Sequence, residues 1–314
     1  MDKKVYNRGI AAQLWYNFTE KLVHMLVARP VPSGIEYVKK IKYGEEKLQY
    51  INMFSPESLK GKKKPLLIYI HGGSWVSGIT EMRNAYISQW ALKGFVTASI
   101  SYSYSPQKTY PSQLQEMYTA IDYLIDNADK YEIDTDNIVL AGESAGGYFI
   151  SHASGAKYNG EILQKNNLKF RNADKFNAKA LVSISGCFDL KRMSDKTKPQ
   201  SEFPDIPTMV KSYLGMPINE AISFLNSDEG KYVSPIVNNG YPPTFLVWAD
   251  KDLLRYESFD FAEELNSYGV HNVLYKADGA IGMHAWAIVP LFKKSKICFN
   301  AAFDFVKQYM PEYF

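Results

Sequence analysis

One serine of this 314-residue chain lies in a pattern that is typical of an enzymatic nucleophile. Residues 142–146, Gly-Glu-Ser-Ala-Gly, fit G-x-S-x-G between an apolar run and a helical stretch. A serine at such a turn needs small residues two positions away on both sides, because the backbone passes so close. The turn also places Ser144 at a helix N-terminus, where the N–H of Ala145 can stabilise developing negative charge. We predict a nucleophile, the alternative being a glycine-rich turn with a capping serine.

A serine nucleophile requires a general base, and two of the five histidines follow strands on the appropriate side. Catalytic groups of an open α/β sheet lie beyond the carboxyl ends of its strands. His71 and His284 meet this condition, whereas the remaining histidines do not: His24, His152 and His271. Because His284 lies in the loop after the last predicted strand, we predict that it is the base and that His71 braces its own turn.

The base needs a carboxylate to orient it, and the segment after the penultimate predicted strand offers two. Asp250 adjoins the end of the strand, and Asp252 lies further into the loop. We predict Asp252 as the acid and keep Asp250 as the alternative. Asp189 and Asp278 also follow strands. They fit less well into the chain order Ser, Asp, His, which is the order of the triad in an α/β-hydrolase.

A second turn is rich in glycine. Residues 71–78, His-Gly-Gly-Ser-Trp-Val-Ser-Gly, follow an apolar run, and the glycine pair indicates backbone that must come close to a ligand. Trp75 and Tyr102 are candidate walls of a substrate pocket, whereas we expect Tyr148 to belong to the core. Ser74 receives no role.

These residues have to be positioned by a sheet, and the apolar pattern predicts one. Two alternating stretches flank Gly44 and indicate an antiparallel hairpin. Short apolar runs then alternate with helical stretches, which is typical of a parallel sheet covered on both faces. The runs are 66–70, 95–102, 137–142, 179–186, 243–250 and 272–277, and the main helical stretches are 81–93, 111–130, 255–268 and 297–309. We predict an α/β fold of about eight mostly parallel strands flanked by helices.

The organisation of the chain predicts one domain with a small cap. No repeat, low-complexity tract or linker divides residues 1–314. Residues 188–235 break the strand–helix alternation, as insertions that cover a site commonly do, and we predict that they form the cap together with the helix in residues 1–30. Residues 1–30 contain apolar side chains at helical spacing but no uninterrupted membrane-spanning run. We expect this amphipathic helix to pack on the body of the protein rather than on a membrane surface; its apolar residues are Leu14, Trp15, Phe18, Leu22 and Met25.

Composition limits the class of protein. Hydrophobic residues make up 46% of the chain and charged residues 22%, which is ordinary for a globular protein. A formal net charge of +3 is too small to indicate a nucleic-acid-binding surface. The two cysteines exclude a disulfide framework and suit a reducing cytoplasm, although they leave a single bridge open.

Several motifs together resemble one family. The segments HGGSW (71–75), GESAGG (142–147), ADKDLL (249–254) and GMHAW (282–286) are similar, in this order, to those of the hormone-sensitive-lipase-like branch of α/β-hydrolase esterases. Residues 100–116 resemble the Y-R-L-A-P…F-P…L-E-D stretch of that family. Ser74 stands in place of a third glycine and Ser103 in place of the arginine. HGGSW is also similar to the H-G-G-x-W of arylformamidases.

The resemblance implies an α/β-hydrolase fold with the triad Ser144, Asp252 and His284 and a cap over an acyl pocket. The expected reaction is hydrolysis of small or medium carboxylic esters through an acyl-enzyme, with the oxyanion bound by the N–H groups of Ala145 and of the segment Gly72–Gly73. No metal or organic cofactor is required. An arylformamidase-like amidase, a feruloyl-type esterase and a non-catalytic ligand-binding relative are the alternatives. We expect a monomer or homodimer that binds a small-molecule ester and has neither a nucleic-acid partner nor a stable membrane anchor.

Overall fold

A single sheet organises the protein. The computed structural model describes residues 1–156, 160–194, 205–227, 237–278, 282–289 and 291–314. Its strands are β1 (Ile35–Lys42), β2 (Tyr50–Pro56), β3 (Lys64–Ile70), β4 (Val96–Ile100), β5 (Ile133–Glu143), β6 (Ala178–Ile184), β7 (Thr244–Trp248) and β8 (Asn272–Lys276). They lie side by side in the order β1-β2-β4-β3-β5-β6-β7-β8.

Strand direction agrees with the sequence pattern. β1 pairs antiparallel with β2, and β2 pairs antiparallel with β4. The remaining neighbours, from β4 through β3 and β5 to β8, are parallel. The predicted eight-stranded, mostly parallel sheet with an N-terminal antiparallel hairpin is therefore confirmed.

Helices cover both faces of this sheet. The described residues contain α1 (Lys3–Val27), α2 (Asn84–Leu92), α3 (Ser112–Asp126), α4 (Ala145–Ala156), α5 (Gly160–Lys165), α6 (Leu190–Met193), α7 (Ile206–Leu214), α8 (Ile218–Leu225), α9 (Arg255–Ser267) and α10 (Lys293–Val306). Alternate residues of β3 divide between two cores, because successive strand side chains point to opposite faces. Leu66, Ile68 and Ile70 join the core under α3, α4 and α9, and Leu67 and Tyr69 join the core under α2 and α10.

The register of the parallel strands brings their carboxyl ends to one edge. Ile70 of β3 lies opposite Gly142 of β5, and Glu143 lies opposite Ile184 of β6. Ile184 in turn lies opposite Val247 of β7. The turns that leave these four strands therefore meet at one place, which is where the candidate catalytic residues lie.

The predicted helix boundaries shift by a few residues. The helix predicted over 81–93 begins with a 3-10 turn, Thr80–Arg83, before α2 starts. The segment between α4 and β6 contains the short α5. Of the predicted cap insertion 188–235, residues 195–204 and 228–235 lie outside the described residues; the rest contains α6, α7 and α8.

The N-terminal helix α1 packs on the body through its small and polar side chains. Small and polar residues face inward: Gly9, Ala12 and Glu20 are buried, and Tyr16 is half-buried. A methyl group added at Gly9 would lie 2.5 Å from the Ser212 hydroxyl of α7, so the two helices approach too closely for large side chains.

The large apolar residues of α1 point outward instead. Leu14 and Phe18 are each 65% exposed and Met25 is 80% exposed. The amphipathic helix is present and packs on the body as expected, but it does so without its large apolar side chains. Periodicity shows which residues share a face and not which face the body takes. No helix in the described part of the chain has the length and apolarity needed to cross a membrane.

Candidate active site

The turn that carries Ser144 depends on its glycines. Ser144 joins β5 to α4 in the left-handed backbone conformation, with a φ of 53°. A Cβ atom at Gly142 would lie 2.8 Å from the Ile70 carbonyl oxygen, and one at Gly146 would lie 2.0 Å from the same oxygen. The spacing of G-x-S-x-G thus follows from the close passage of β3 beneath the turn.

Hydrogen bonds from the next strand hold the serine backbone. The N–H of Ser144 donates to the Ile184 carbonyl at 3.0 Å, and its own carbonyl accepts from the N–H groups of Gly147 and Cys187. The side chain is almost covered, with 8% of the residue exposed, and its hydroxyl lies 4.0 Å from the Cys187 sulfur. The serine is therefore held in a fixed position with a small opening to solvent.

Asp252 and His284 form a hydrogen-bonded pair. Nδ1 of His284 lies 2.9 Å from Oδ1 of Asp252, and the same oxygen accepts the N–H of Leu254 at 2.8 Å. The other candidate acid, Asp250, is 62% exposed and pairs with Lys276 at 2.9 Å. Of the two carboxylates, Asp252 is the one that orients the imidazole.

The histidine loop is attached beside the serine turn. The N–H of Ala285 donates to the Ser185 hydroxyl at 3.1 Å, and Ser185 directly follows the residue whose carbonyl holds Ser144. The N–H of Ser185 donates to the Val247 carbonyl at 2.8 Å. One serine after β6 therefore links the Ser144 turn, the histidine loop and β7.

The pair sets its own charges. The side chain of His284 is 39% exposed; its partial removal from water would lower its pKa, but the adjoining Asp252 carboxylate outweighs this effect and raises that pKa above 6.5. Burial would likewise raise the pKa of Asp252, and the His284 imidazole together with its hydrogen bonds lowers it instead. The carboxylate is therefore ionised at neutral pH and stabilises an imidazolium next to it.

Backbone N–H groups near Ser144 differ in their partners. Gly72 was expected to bind an oxyanion, but its N–H donates to Oε1 of Glu143 at 2.9 Å. That glycine instead provides space, because a Cβ there would lie 2.8 Å from the Ser144 Cβ. The N–H of Gly73 has no acceptor among the residues that the structure describes. Ala145 begins α4, and the first N–H of a helix has no partner within it.

A buried charge network beneath the turn was not predicted. Oε1 of Glu143 accepts from Nε of Arg83 at 2.8 Å, and Oε2 accepts from the Tyr69 hydroxyl. Arg83 also donates to Oε1 of Glu20 on α1 at 3.2 Å. Burial alone would lower the pKa of Arg83, but the two carboxylates raise it, so the guanidinium remains charged. The only signal in the sequence was a glutamate inside an otherwise apolar and small-residue stretch, 137–147.

His71 lies in the core of its turn. Its ring is fully buried, is stacked on Tyr102 at 4.6 Å between centroids, and its Nδ1 lies 2.7 Å from the Gly72 carbonyl. Burial and the nearby Arg83 lower its pKa to about 4, so the ring is neutral at ordinary pH. A Cβ at Gly78 would overlap this ring, at 2.0 Å from Cε1. These contacts are those of a residue that braces the turn.

Trp75 and Tyr102 do not line an open pocket. Trp75 is 1% exposed and stacks on Tyr213 of α7 at 4.9 Å, and Tyr102 is fully buried with its hydroxyl on the His71 carbonyl at 3.0 Å. Both side chains are covered in this structure, Trp75 by α7 and Tyr102 by the turn itself, and their assignment as pocket walls stays a prediction. Tyr148 is fully buried in the core, as expected.

Ser74, for which the sequence suggested no role, contacts the N-terminal helix. Its hydroxyl lies 3.2 Å from the Tyr16 hydroxyl of α1. Burial raises the pKa of Tyr16, so its hydroxyl stays protonated. The glycine-rich turn is thus joined to α1 by this hydrogen bond.

Strained backbone is concentrated around these turns. Among the described residues, eight non-glycine residues have a left-handed backbone, and five of them surround the site: Ser74, Trp75, Ser144, Ser185 and Ala285. Each such residue costs about 1–3 kcal/mol and persists only where neighbouring contacts hold it. Such clusters are typical of functional sites.

The fold is that of an α/β-hydrolase. Esterase B from Lactobacillus Rhamnosis superposes with a TM-score of 0.81 over 99% of this chain and 97% of its own, at 16% identity, which shows the shared fold. The chain belongs to the BD-FAE family, whose model matches residues 51–264, more than half of its length.

Curated relatives are similar over most of the chain. An arylesterase of Saccharolobus solfataricus is 25% identical over 289 residues, which cover 88% of this chain and 87% of the relative. A putative α/β hydrolase, R526, of Acanthamoeba polyphaga mimivirus is 27% identical over 229 residues, or 69% of this chain. The chain spans 60% of that relative's own length.

Proposed function

We propose that the protein is a serine esterase that hydrolyses carboxylic esters of small or medium acyl groups through an acyl-enzyme. The observation that carries the proposal is the hydrogen bond between His284 and the buried Asp252, on a loop attached beside the Ser144 turn. Esterase names among the relatives support the substrate class.

In the proposed first step, the Ser144 hydroxyl attacks the ester carbonyl carbon while Nε2 of His284 takes its proton. Asp252 accepts the Nδ1–H, holds the ring in the right tautomer and stabilises the imidazolium. The imidazolium then protonates the leaving alcohol, which departs as the acyl-enzyme forms. In the second step, water repeats the sequence, and Ser144 leaves as the acid is released.

The negative charge on the tetrahedral intermediate is bound by the N–H groups of Gly73 and Ala145. Each such donor contributes about 3–4 kcal/mol to transition-state stabilisation in serine hydrolases. Gly72 is left out of this pair because its N–H is bonded to Glu143. The Glu143 carboxylate instead holds the glycine-rich turn against the serine turn.

We assign α1 and α7 to a cap within a single domain. α1 contacts the glycine-rich turn through Tyr16 and Ser74, and Arg8 of α1 pairs with Asp205 at the start of α7 at 2.6 Å. Tyr213 of α7 covers Trp75 of the same turn. Cys187 and Cys298 are both buried and form no disulfide with each other, which fits the reducing cytoplasm to which we assign the protein.

Hydrolysis of p-nitrophenyl acetate and butyrate by the wild type and by Ser144→Ala tests the proposal. The variant should lose at least about 10³-fold in kcat. A matched control is Ser267→Ala, at an exposed serine whose hydroxyl donates to the Glu264 carbonyl, and it should retain full activity. A wild type no faster than Ser144→Ala would contradict the proposal and favour a non-catalytic ligand-binding protein.

The preferred substrate is measured with a panel rather than one ester. A series of p-nitrophenyl esters of increasing acyl length, an ester of an aromatic acid and N-formylkynurenine separate a carboxylesterase from a feruloyl-type esterase and from an arylformamidase. We expect the highest kcat/KM on a short or medium acyl ester. A higher kcat/KM on the formamide would replace the carboxylesterase assignment by the amidase.

A further inference from the structure

The outer face of α1 carries a continuous apolar surface. Its members recur at helical spacing and are 50–80% exposed. We call them the α1 stripe: Leu14, Trp15, Phe18, Leu22, Met25 and Leu26. Single exposed apolar residues are ordinary, but a contiguous set of this size marks a surface that contacts something.

The body of the protein holds the stripe in this orientation. Glu20 of α1 is buried against Arg83, with 10% of its side chain exposed, and Tyr16 lies against Ser74. Gly9 packs closely on Ser212 of α7. If α1 were rotated to bring the stripe inward, the large side chains of the stripe would collide with α7. The stripe therefore faces outward because of specific contacts on the opposite side of the helix.

Basic side chains predominate on the exposed part of α1. Lys3, Lys4 and Lys21 of the helix and Arg29 just after it are exposed. The acidic residues among the first thirty are Asp2, whose carboxylate accepts the N–H of Lys4, and Glu20, which is turned inward. An apolar centre with a tryptophan, a basic rim and no acidic side chain within the face is the pattern of helices that lie in an anionic lipid–water interface.

We propose that the α1 stripe docks the protein on an anionic lipid surface, with α1 lying in the plane of the interface. The apolar side chains enter the boundary between headgroups and acyl chains, and the lysines contact the anionic headgroups. Binding is peripheral and reversible, since α1 is bonded to the body along its inner face. Because Tyr16 of the same helix contacts the glycine-rich turn, docking brings the site close to the lipid surface. Its use for lipid-dissolved esters rests on the proposed function; the docking does not.

Flotation of the full chain with vesicles tests the proposal. Wild type is mixed with phosphatidylcholine vesicles or with vesicles that also contain phosphatidylglycerol, at low and high salt. We expect binding to the anionic vesicles that weakens with salt, and weaker binding to the zwitterionic ones. Wild type that floats with neither, or equally with both at every salt concentration, overturns the proposal.

Two matched variants separate the stripe from general hydrophobicity. Leu14→Ser/Phe18→Ser/Leu22→Ser removes three stripe residues and should weaken vesicle binding by roughly tenfold or more. The control replaces three exposed apolar residues elsewhere, Leu92→Ser/Leu274→Ser/Ile297→Ser, and should bind as the wild type does. Equal binding by the two triple variants contradicts the proposal.

Two further readouts keep the outcomes distinct. Sedimentation across a range of concentrations tests whether a second copy of the chain covers the stripe. If the wild type forms a dimer that the stripe variant does not form, and the wild type does not bind vesicles, lipid docking is overturned. Hydrolysis of dissolved p-nitrophenyl butyrate should be unchanged in the stripe variant, which also shows that it is folded. Wild type that binds vesicles but hydrolyses nothing refutes the proposed function and leaves the docking intact.

Discussion

The Ser144 turn and the α1 helix both pack closely on the body at glycines, but they differ in whether their large apolar side chains are buried or exposed. At the turn, Gly142 and Gly146 allow β3 to pass beneath, and large apolar side chains are buried around them. On α1, Gly9 and Ala12 face inward while the large apolar side chains face solvent. In the first region glycine holds the Ser144 turn against β3, and in the second it lets α1 approach α7 while the large apolar side chains stay outside. Variants of the two regions should therefore behave differently.

The largest effect is expected from the acid of the proposed triad. Asp252→Asn retains the size of the side chain but favours the wrong histidine tautomer, so kcat for p-nitrophenyl butyrate should fall by about 10³–10⁴-fold. Asp250→Asn removes a carboxylate that pairs with Lys276 at the surface and should leave kcat nearly unchanged. Loss of activity in the Asp250 variant alone would move the acid to that residue.

The next largest effect is expected at Arg83, which connects the two regions through Glu20 of α1 and Glu143 of the serine turn. Arg83→Met leaves Glu143 and Glu20 buried without their cation, which should lower the free energy of unfolding by about 3–5 kcal/mol. Urea denaturation measures this difference. Lys276→Met removes an exposed ion pair and should change stability little. An Arg83 variant as stable as the wild type would mean that the network does not hold α1 and the serine turn together.

A smaller effect compares the two sets of glycines directly. Gly146→Ala places a methyl group 2.0 Å from a backbone oxygen of β3, which cannot move aside. The variant should therefore lower the free energy of unfolding by about 3 kcal/mol. Gly9→Ala places one 2.5 Å from the Ser212 hydroxyl, which can rotate, and the helix gains propensity. Its free energy of unfolding should stay within about 1 kcal/mol of the wild type. Thermal or urea denaturation measures both variants. Equal decreases in the free energy of unfolding of Gly146→Ala and Gly9→Ala would contradict the difference between the two regions.

The smallest effect is a displacement along the pH axis. His284 must be neutral to accept the serine proton, and Asp252 raises the pKa of His284 above 6.5. Activity should therefore fall as the pH decreases through this raised pKa, so the acidic limb of kcat/KM has its midpoint above 6.5. The profile of p-nitrophenyl butyrate hydrolysis measures it. A midpoint well below 6.5 would be inconsistent with an ionised Asp252 beside the imidazole.

Much of the fold and part of the site followed from local pattern. Apolar runs and helical spacing predicted the sheet, and the order Ser144, Asp252, His284 followed from placing these residues after parallel strands. A parallel sheet collects the carboxyl ends of its strands at one edge, so residues far apart in sequence meet there without further information. The choice of Asp252 over Asp250 depended on two residues of distance from a strand end, and the hydrogen bond to His284 agrees with it.

Other features depend on which elements pack together, and local sequence pattern does not indicate these contacts. The N–H of Gly72 is bonded to Glu143 because Ile70 of β3 pairs with Gly142 of β5. The network of Glu20, Arg83 and Glu143 joins three distant segments, so no spacing could indicate it. The outward orientation of the α1 stripe was missed for the same reason: its inner face is selected by close contact with α7 and not by hydrophobicity.

The central claim, acyl transfer to Ser144, is tested most directly by trapping the nucleophile. The protein is incubated with an activated alkyl phosphonate ester, and the modified peptide is identified by mass spectrometry. The account predicts one adduct, on the peptide that contains Ser144, with no adduct in Ser144→Ala and slow labelling in His284→Ala. An adduct on another residue, or labelling of Ser144→Ala at the wild-type rate, would contradict it.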